Sequence, residues 1–169
     1  MGKSRKRRIP PIWLLILTFF TLYLLVSVGL TRYFSLPGHI PLPDIWGIAV
    51  GSVLLLLGFT TLGCALSTLK LRRAFGKEID KPRLECKLVT TGIYAHVRNP
   101  IYLANTLLLF GWFFLLQLTV ILLMTLLFIP HFYLVAKWEE RELTERFGEE
   151  YLKYKKRVPF IVPSLKKRI

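Results

Sequence analysis

Charged residues are absent from three long stretches of the chain. Ile12 to Leu30 runs 19 residues without one, Ile45 to Leu69 runs 25, and Ile101 to Ala136 runs 36 with His131 as its one histidine. The apolar positions fill these blocks instead of recurring at amphipathic spacing, which is the pattern of helices surrounded by hydrocarbon. Crossing a bilayer takes roughly 20 residues at about 1.5 Å each, so each block is long enough. The third is too long for one crossing, because a straight helix of that length would span about 54 Å against a core of about 30 Å. A hairpin resolves the excess. Gln117 and Thr119 mark its turn, leaving arms of Ile101 to Leu116 and Val120 to Ala136. The pattern thus predicts an all-α, polytopic membrane protein with about four transmembrane helices, the last two a short hairpin.

Charge placement tests this count. Of 24 Lys and Arg residues, 5 precede the first block, 1 lies between the first two, 8 fall between Lys70 and Arg98, and 10 follow Ala136. Cytoplasmic flanks carry such an excess. An undivided third block would send the last ten cations across the membrane, so the hairpin places both termini in the cytoplasm. Trp13, Trp46, Trp112 and Trp138 fall at or near the proposed interfaces, as an aromatic belt requires. The net charge of +14 then reads as attraction to the lipid bilayer and not to nucleic acid. The first apolar run lacks a small-residue cleavage site after it and reads as an uncleaved helix. Cys64 and Cys86 support neither a disulfide framework nor a metal site.

Residues 1–83 form an N-terminal basic segment with two spans, and 84–169 a core of loop, hairpin and helical tail. Leu36-Pro37-Gly38 and Pro41-Leu42-Pro43 make a stiff outer connector. Gly47, Gly51 and Gly58 allow close approach of another helix, read as packing within the chain. Asn99-Pro100 is a helix start, with Asn able to cap and Pro at the first helical position. The last span continues as a helix to about Phe147, breaks at Gly148 and resumes to about Arg157, before Pro159 and Pro163. Leu143, Phe147, Tyr151, Tyr154 and Val158 share one face of that tail, a face predicted to pack on the loop or lie along the membrane.

Polar chemistry collects in two clusters beside the spans. One is Gly92-Ile93-Tyr94-Ala95-His96-Val97-Arg98-Asn99-Pro100-Ile101-Tyr102. The other is Trp138-Glu139-Glu140, followed by Phe147-Gly148-Glu149-Glu150-Tyr151, Tyr154, Val158 and Pro159. In that order, G-x-Y-x-x-x-R-[HN]-P-x-Y, an apolar hairpin, paired glutamates and F-G-x-x-Y-x-x-Y-x-x-x-V-P resemble the isoprenylcysteine carboxyl methyltransferase family, related to the phospholipid N-methyltransferases. The resemblance covers roughly Leu88 to Pro163. It implies a membrane enzyme that uses S-adenosylmethionine on the cytosolic side. Tyr94, His96, Arg98, Asn99, Pro100 and Tyr102 fall in or beside its first cofactor motif, Glu139 and Glu140 on the acidic pair, and Tyr151 and Tyr154 on the aromatic tail. Asn99 departs from the family, many of whose members have His there.

That cofactor presents an amine, a carboxylate, a sulfonium and an adenine. Arg98 can pair with the carboxylate, aided by the N–H groups at the helix start. Glu139 or Glu140 can hold the amine or the ribose hydroxyls, and Tyr faces can stack on adenine and favour the sulfonium. Arg98, Glu140 and Tyr102 are the candidate catalytic residues. A carboxylate acceptor needs no base, whereas an amine or thiol does, and Glu140, Tyr102 or His96 can then serve. His131 and Asn105, polar residues inside spans, are further pocket candidates.

The expected activity is methyl transfer to a hydrophobic or lipid-like small-molecule acceptor: an isoprenylcysteine carboxylate, a phospholipid amine or a thiol. Two alternatives stand beside it, an NADPH-dependent membrane reductase on a related scaffold and a non-catalytic membrane adaptor. Four helices are few for enclosing a long lipid tail, which leaves room for a homodimer with a shared site.

Overall fold

The computed structural model describes residues 12–34, 40, 42–69 and 88–162. Five α-helices account for most of them: α1 (Ile12–Phe34), α2 (Asp44–Thr68), α3 (Pro100–Leu116), α4 (Thr119–Phe147) and α5 (Glu149–Arg157), with a 3-10 turn at Gly92–Ala95. α2 and α4 are long and apolar enough to cross a membrane, and α3 is a shorter apolar helix. The cation-rich stretches 1–11, 70–87 and 163–169, and the prolines at 37 and 41, lie outside the described residues.

The third apolar block does fold back on itself. Gln117 adopts a left-handed conformation at φ 51 and its N–H closes α3 on the carbonyl of Phe113 at 2.7 Å. A polar residue suits this apex because free backbone groups gather there. The Gln117 carbonyl accepts from the N–H of Ile40 at 2.8 Å, and its side-chain amide, turned to donate, reaches the carbonyls of Ile40 at 3.1 Å and Leu42 at 3.2 Å. The hairpin tip is thereby tied to the connector that leads into α2.

Small residues bring α2 against α3. Gly47, Gly51 and Gly58 of α2 lie against Phe114, Gly111 and Leu108 of α3, and Ala65 and Ala104 are buried on the same two helices. A methyl group built on Gly51 would lie 3.0 Å from the carbonyl oxygen of Gly111 and 3.0 Å from the backbone N of Leu115. The glycine spacing therefore serves contact within the chain. On the other side of the hairpin, α1 packs on α4 through Tyr23, whose hydroxyl donates to the carbonyl of Ile121 at 2.9 Å and lies 2.9 Å from Thr125 Oγ1. Tyr23, Leu109, Phe113, Ile121 and Phe132 form the core between these helices. Outward faces carry Ile45, Ile48 and Leu56 on α2, and Leu126, Leu127 and Leu134 on α4, all exposed.

Gly148, at φ 54, lets the chain turn from α4 into α5. The face predicted for the tail then packs on the loop: Tyr151, Tyr154 and Val158 are buried against Leu88, Leu143 and Phe147.

Two glycines on α2 separate packing from helix propensity. Gly51→Ala should lower the stability of the purified protein by about 1–3 kcal/mol through overpacking of the seam. Gly63→Ala, whose added methyl meets nothing within 4 Å, should leave stability unchanged or raise it by up to about 1 kcal/mol. Thermal unfolding in detergent distinguishes them, and equal behaviour would show that the seam tolerates a wider spacing.

Candidate active site

The Arg-Asn-Pro segment is pinned from behind by the end of the chain's tail. The N–H groups of Arg98 and Asn99 donate to the carbonyls of Pro159 and Phe160 at 3.0 and 3.2 Å. Asn99 does not cap α3 with its side chain as expected. Its amide donates instead to the Phe160 carbonyl at 3.2 Å and reaches Glu140 Oε1 at 3.5 Å. The helix start relies on Pro100, which is buried, and on the Asn99 carbonyl accepting from Leu103.

Arg98 and Glu140 meet across the hairpin. Nη1 of Arg98 lies 3.0 Å from Oε1 of Glu140, with side chains only 8% and 2% exposed. Lys155 from α5 approaches Glu140 Oε2 at 3.2 Å and Lys137 at 3.8 Å. Phe160 lies beneath two of these cations, with its ring centroid 5.7 Å from the Arg98 guanidinium and 4.6 Å from the Lys137 ammonium. Both Lys137 and Lys155 escaped the sequence reading. The three-residue spacing of Lys137 from Glu140 was visible on the helix, but nothing in the sequence pointed to Lys155 or Phe160.

The paired glutamates have separate surroundings. Glu140 points inward to Arg98, while Glu139 is solvent-accessible and accepts a hydrogen bond from Tyr102. Partial desolvation raises the Glu139 carboxyl above its ordinary value, opposed by that hydrogen bond.

On the other side of Arg98 is a cavity of about 260 Å³, near the roughly 300 Å³ lower end of small-molecule sites. Its walls include Tyr94 and Arg98 from the loop, Leu143, Arg146 and Phe147 from α4, and Tyr151 and Tyr154 from α5. The Tyr154 hydroxyl donates to the Tyr94 carbonyl at 2.7 Å, closing α5 onto the 3-10 turn. Burial raises the Tyr94 and Tyr154 phenols well above their ordinary range and pushes Tyr151 up to about 12. All three stay protonated at neutral pH and offer ring faces and donors, not bases. Arg98 hydrogen-bonds the Tyr151 side chain, and its buried Nε has no hydrogen bond, so Glu140 does not use all of the guanidinium's donors.

The structure therefore gathers Tyr94, Arg98, Tyr151 and Tyr154 around one cavity, with Asn99 and Glu140 behind Arg98. Glu139 and Tyr102 pair beside it, and the Glu139 charge acts on both Tyr94 and Tyr151. His96 is exposed and does not line the cavity. His131 is exposed on α4 between the rings of Phe128 and Phe132. Asn105 is set apart in α3, its Oδ1 buried without a hydrogen bond. Arg146 is a wall of the cavity.

Comparison with known proteins bears on this arrangement. The family model described as phospholipid methyltransferase matches residues 46–150, more than half of the chain. A protein-S-isoprenylcysteine O-methyltransferase of Xenopus laevis is 31% identical over 131 residues, covering 72% of this chain and 42% of its own. A methanethiol S-methyltransferase of Crocosphaera subtropica is 28% identical over 128 residues, 73% of this chain and 45% of its own. The human protein-S-isoprenylcysteine O-methyltransferase is 38% identical over 88 residues, 47% of this chain and 28% of its own. The chain thus spans less than half the length of these curated relatives. No solved structure matches it significantly.

Truncating Glu140 tests the central pair. Glu140→Ala leaves Arg98 buried without its partner and should destabilise by about 3–5 kcal/mol. Glu139→Ala, at a solvent-accessible position, should cost less than about 1 kcal/mol. Chemical denaturation in detergent would measure both, and equal costs would contradict the division of roles between the two carboxylates.

Proposed function

We propose that this chain, which belongs to the phospholipid methyltransferase family, transfers a methyl group from S-adenosylmethionine to a hydrophobic or lipid-linked acceptor at the cytoplasmic face of a membrane. The observation that carries the reading is the aromatic-walled cavity with the Arg98 and Arg146 guanidinium groups in its lining.

The residues present suit this cofactor. Arg98, with Arg146 nearby, offers a cationic seat for the carboxylate of the methionine part. Tyr94, Phe147, Tyr151 and Tyr154 supply faces for the adenine and the sulfonium. Glu139 lies within electrostatic reach of the cavity's tyrosines and can receive the amine. Glu140 is a positioning residue in this scheme: it holds Arg98 in place and does not face the ligand. When bound, the cofactor supplies an electrophilic methyl on sulfur, and the apolar walls exclude water from the line of transfer. With its tyrosines protonated, the pocket suits an acceptor that is already nucleophilic, such as a carboxylate or thiolate. Glu139, opened toward solvent, is then the nearest base for an amine.

Four crossings support lateral entry of the acceptor. α1 and α3 join α2 and α4 as spans in this reading, because 23 and 17 residues reach about 35 and 26 Å. The distribution of Lys and Arg supports a cytoplasmic side for the Arg-Asn-Pro loop, α5 and both termini.

Filling the cavity tests the assignment without touching the Arg98–Glu140 pair. Purified wild-type protein should bind S-adenosylmethionine or its demethylated product by calorimetry. Leu143→Trp should weaken that binding at least about tenfold, equal to about 1.4 kcal/mol, with thermal stability retained. Absence of binding by the wild type would remove the cofactor reading, and unchanged affinity in the variant would move the site elsewhere.

A further inference from the structure

Glu140 also borders a second cavity, of about 420 Å³, that shares no lining residue with the tyrosine pocket. It is lined by Lys137, Trp138, Glu140, Arg141, Thr144 and Lys155. Three cations and one carboxylate line it, and that carboxylate is already paired with Arg98 at 3.0 Å. The cavity is therefore more positive than neutralising Glu140 requires. Lys137 and Lys155 are held at its mouth, 42% and 39% exposed, by their approach to Glu140 Oε2 from two helices. The Phe160 ring, 4.6 Å from the Lys137 ammonium, fixes one of them further.

Its depth is informative. α4 carries no charge from Thr119 to Ala136, a length of about 27 Å, and Lys137 is the first charged residue after it. Trp138 follows, 67% exposed. An exposed Trp beside the first Lys is the arrangement found at the plane of lipid headgroups. The anions abundant at that plane are phosphates, and a tetrahedral phosphate can be met by three cations from different sides, one of them the planar fork of Arg141.

We infer that the Lys137–Arg141–Lys155 cavity is a binding site for a phosphate group, presented by the headgroup of an anionic phospholipid or by a soluble phosphomonoester. The site is separate from the tyrosine-lined pocket and does not depend on the cofactor assigned there.

Native mass spectrometry of the full chain in detergent tests this with three probes: phosphatidic acid, phosphatidylcholine and glycerol 3-phosphate. The wild type should hold one phosphatidic acid in preference to phosphatidylcholine. Arg141→Gln with Lys155→Gln should lower that occupancy by at least about tenfold, as expected when two interfacial cations are removed. Lys153→Gln with Lys156→Gln makes the same charge change on α5 outside the cavity and should leave occupancy unchanged. Displacement of the lipid by glycerol 3-phosphate would assign recognition to the phosphate alone, while retention would assign it to the lipid form. Arg141→Gln alone, on an exposed helix surface, gives the same comparison should the double variant fail to fold. Equal loss in both double variants, or equal binding of the two lipids by the wild type, would overturn the proposal, since either means diffuse attraction without a built site.

Discussion

Glu140 is a carboxylate almost wholly withdrawn from solvent, and everything at the polar end of the helices is organised around keeping it paired. Removing such a charge from water costs several kcal/mol unless partners replace the lost hydration. Arg98, Lys155, Lys137 and Asn99 all approach it, and they come from the loop, the start of α4's polar extension and α5. The requirement to surround one charge thus draws together segments that are distant in sequence. It also demands matched arms in the hairpin. From the Gln117 turn, α3 runs back about 26 Å to Pro100, two residues from Arg98, and α4 runs on about 33 Å to Glu140. Only arms of similar length allow the two side chains to meet.

The pair also separates two environments. Arg98 contributes to a pocket of rings and aliphatic side chains, whereas Glu140 borders a cationic cavity at the level of Trp138. One charged contact can serve both because each partner screens the other. The guanidinium keeps a buried Nε without a hydrogen bond, and the carboxylate gathers lysines at its other oxygen. Neither property belongs to either residue in isolation.

Rigidity in the apolar part has a different origin. Within hydrocarbon no hydrophobic drive separates helix from lipid, so close backbone approach and a few polar contacts hold the helices together. α2 and α3 use Gly51 against Gly111, and α1 and α4 use the Tyr23 hydroxyl on the carbonyl of Ile121. The hairpin is braced on both sides, which keeps its polar ends in register at the site.

Helix bounds were legible in the residues themselves, because they depend on local chemistry: an apolar run, a Gln at its midpoint, Pro100 at a start and Gly148 at a break. The face carrying Leu143, Phe147, Tyr151 and Tyr154 was equally readable, since helical spacing fixes which side chains share a side. The fate of that face was not, because both a loop and a membrane surface bury apolar groups; packing on Leu88 and the Tyr154–Tyr94 hydrogen bond decided it. Adjacent Glu139 and Glu140 looked equivalent in one dimension. A turn of about 100° per residue on a helix sends one toward Arg98 and the other toward Tyr102, and only the tertiary arrangement supplies those partners. Likewise Asn99 had the right chemistry to cap α3, but the Phe160 carbonyl, from a segment remote in sequence, claims its amide. Local order follows from neighbours along the chain, whereas the partner of a polar group is set by whatever the fold brings within about 3 Å.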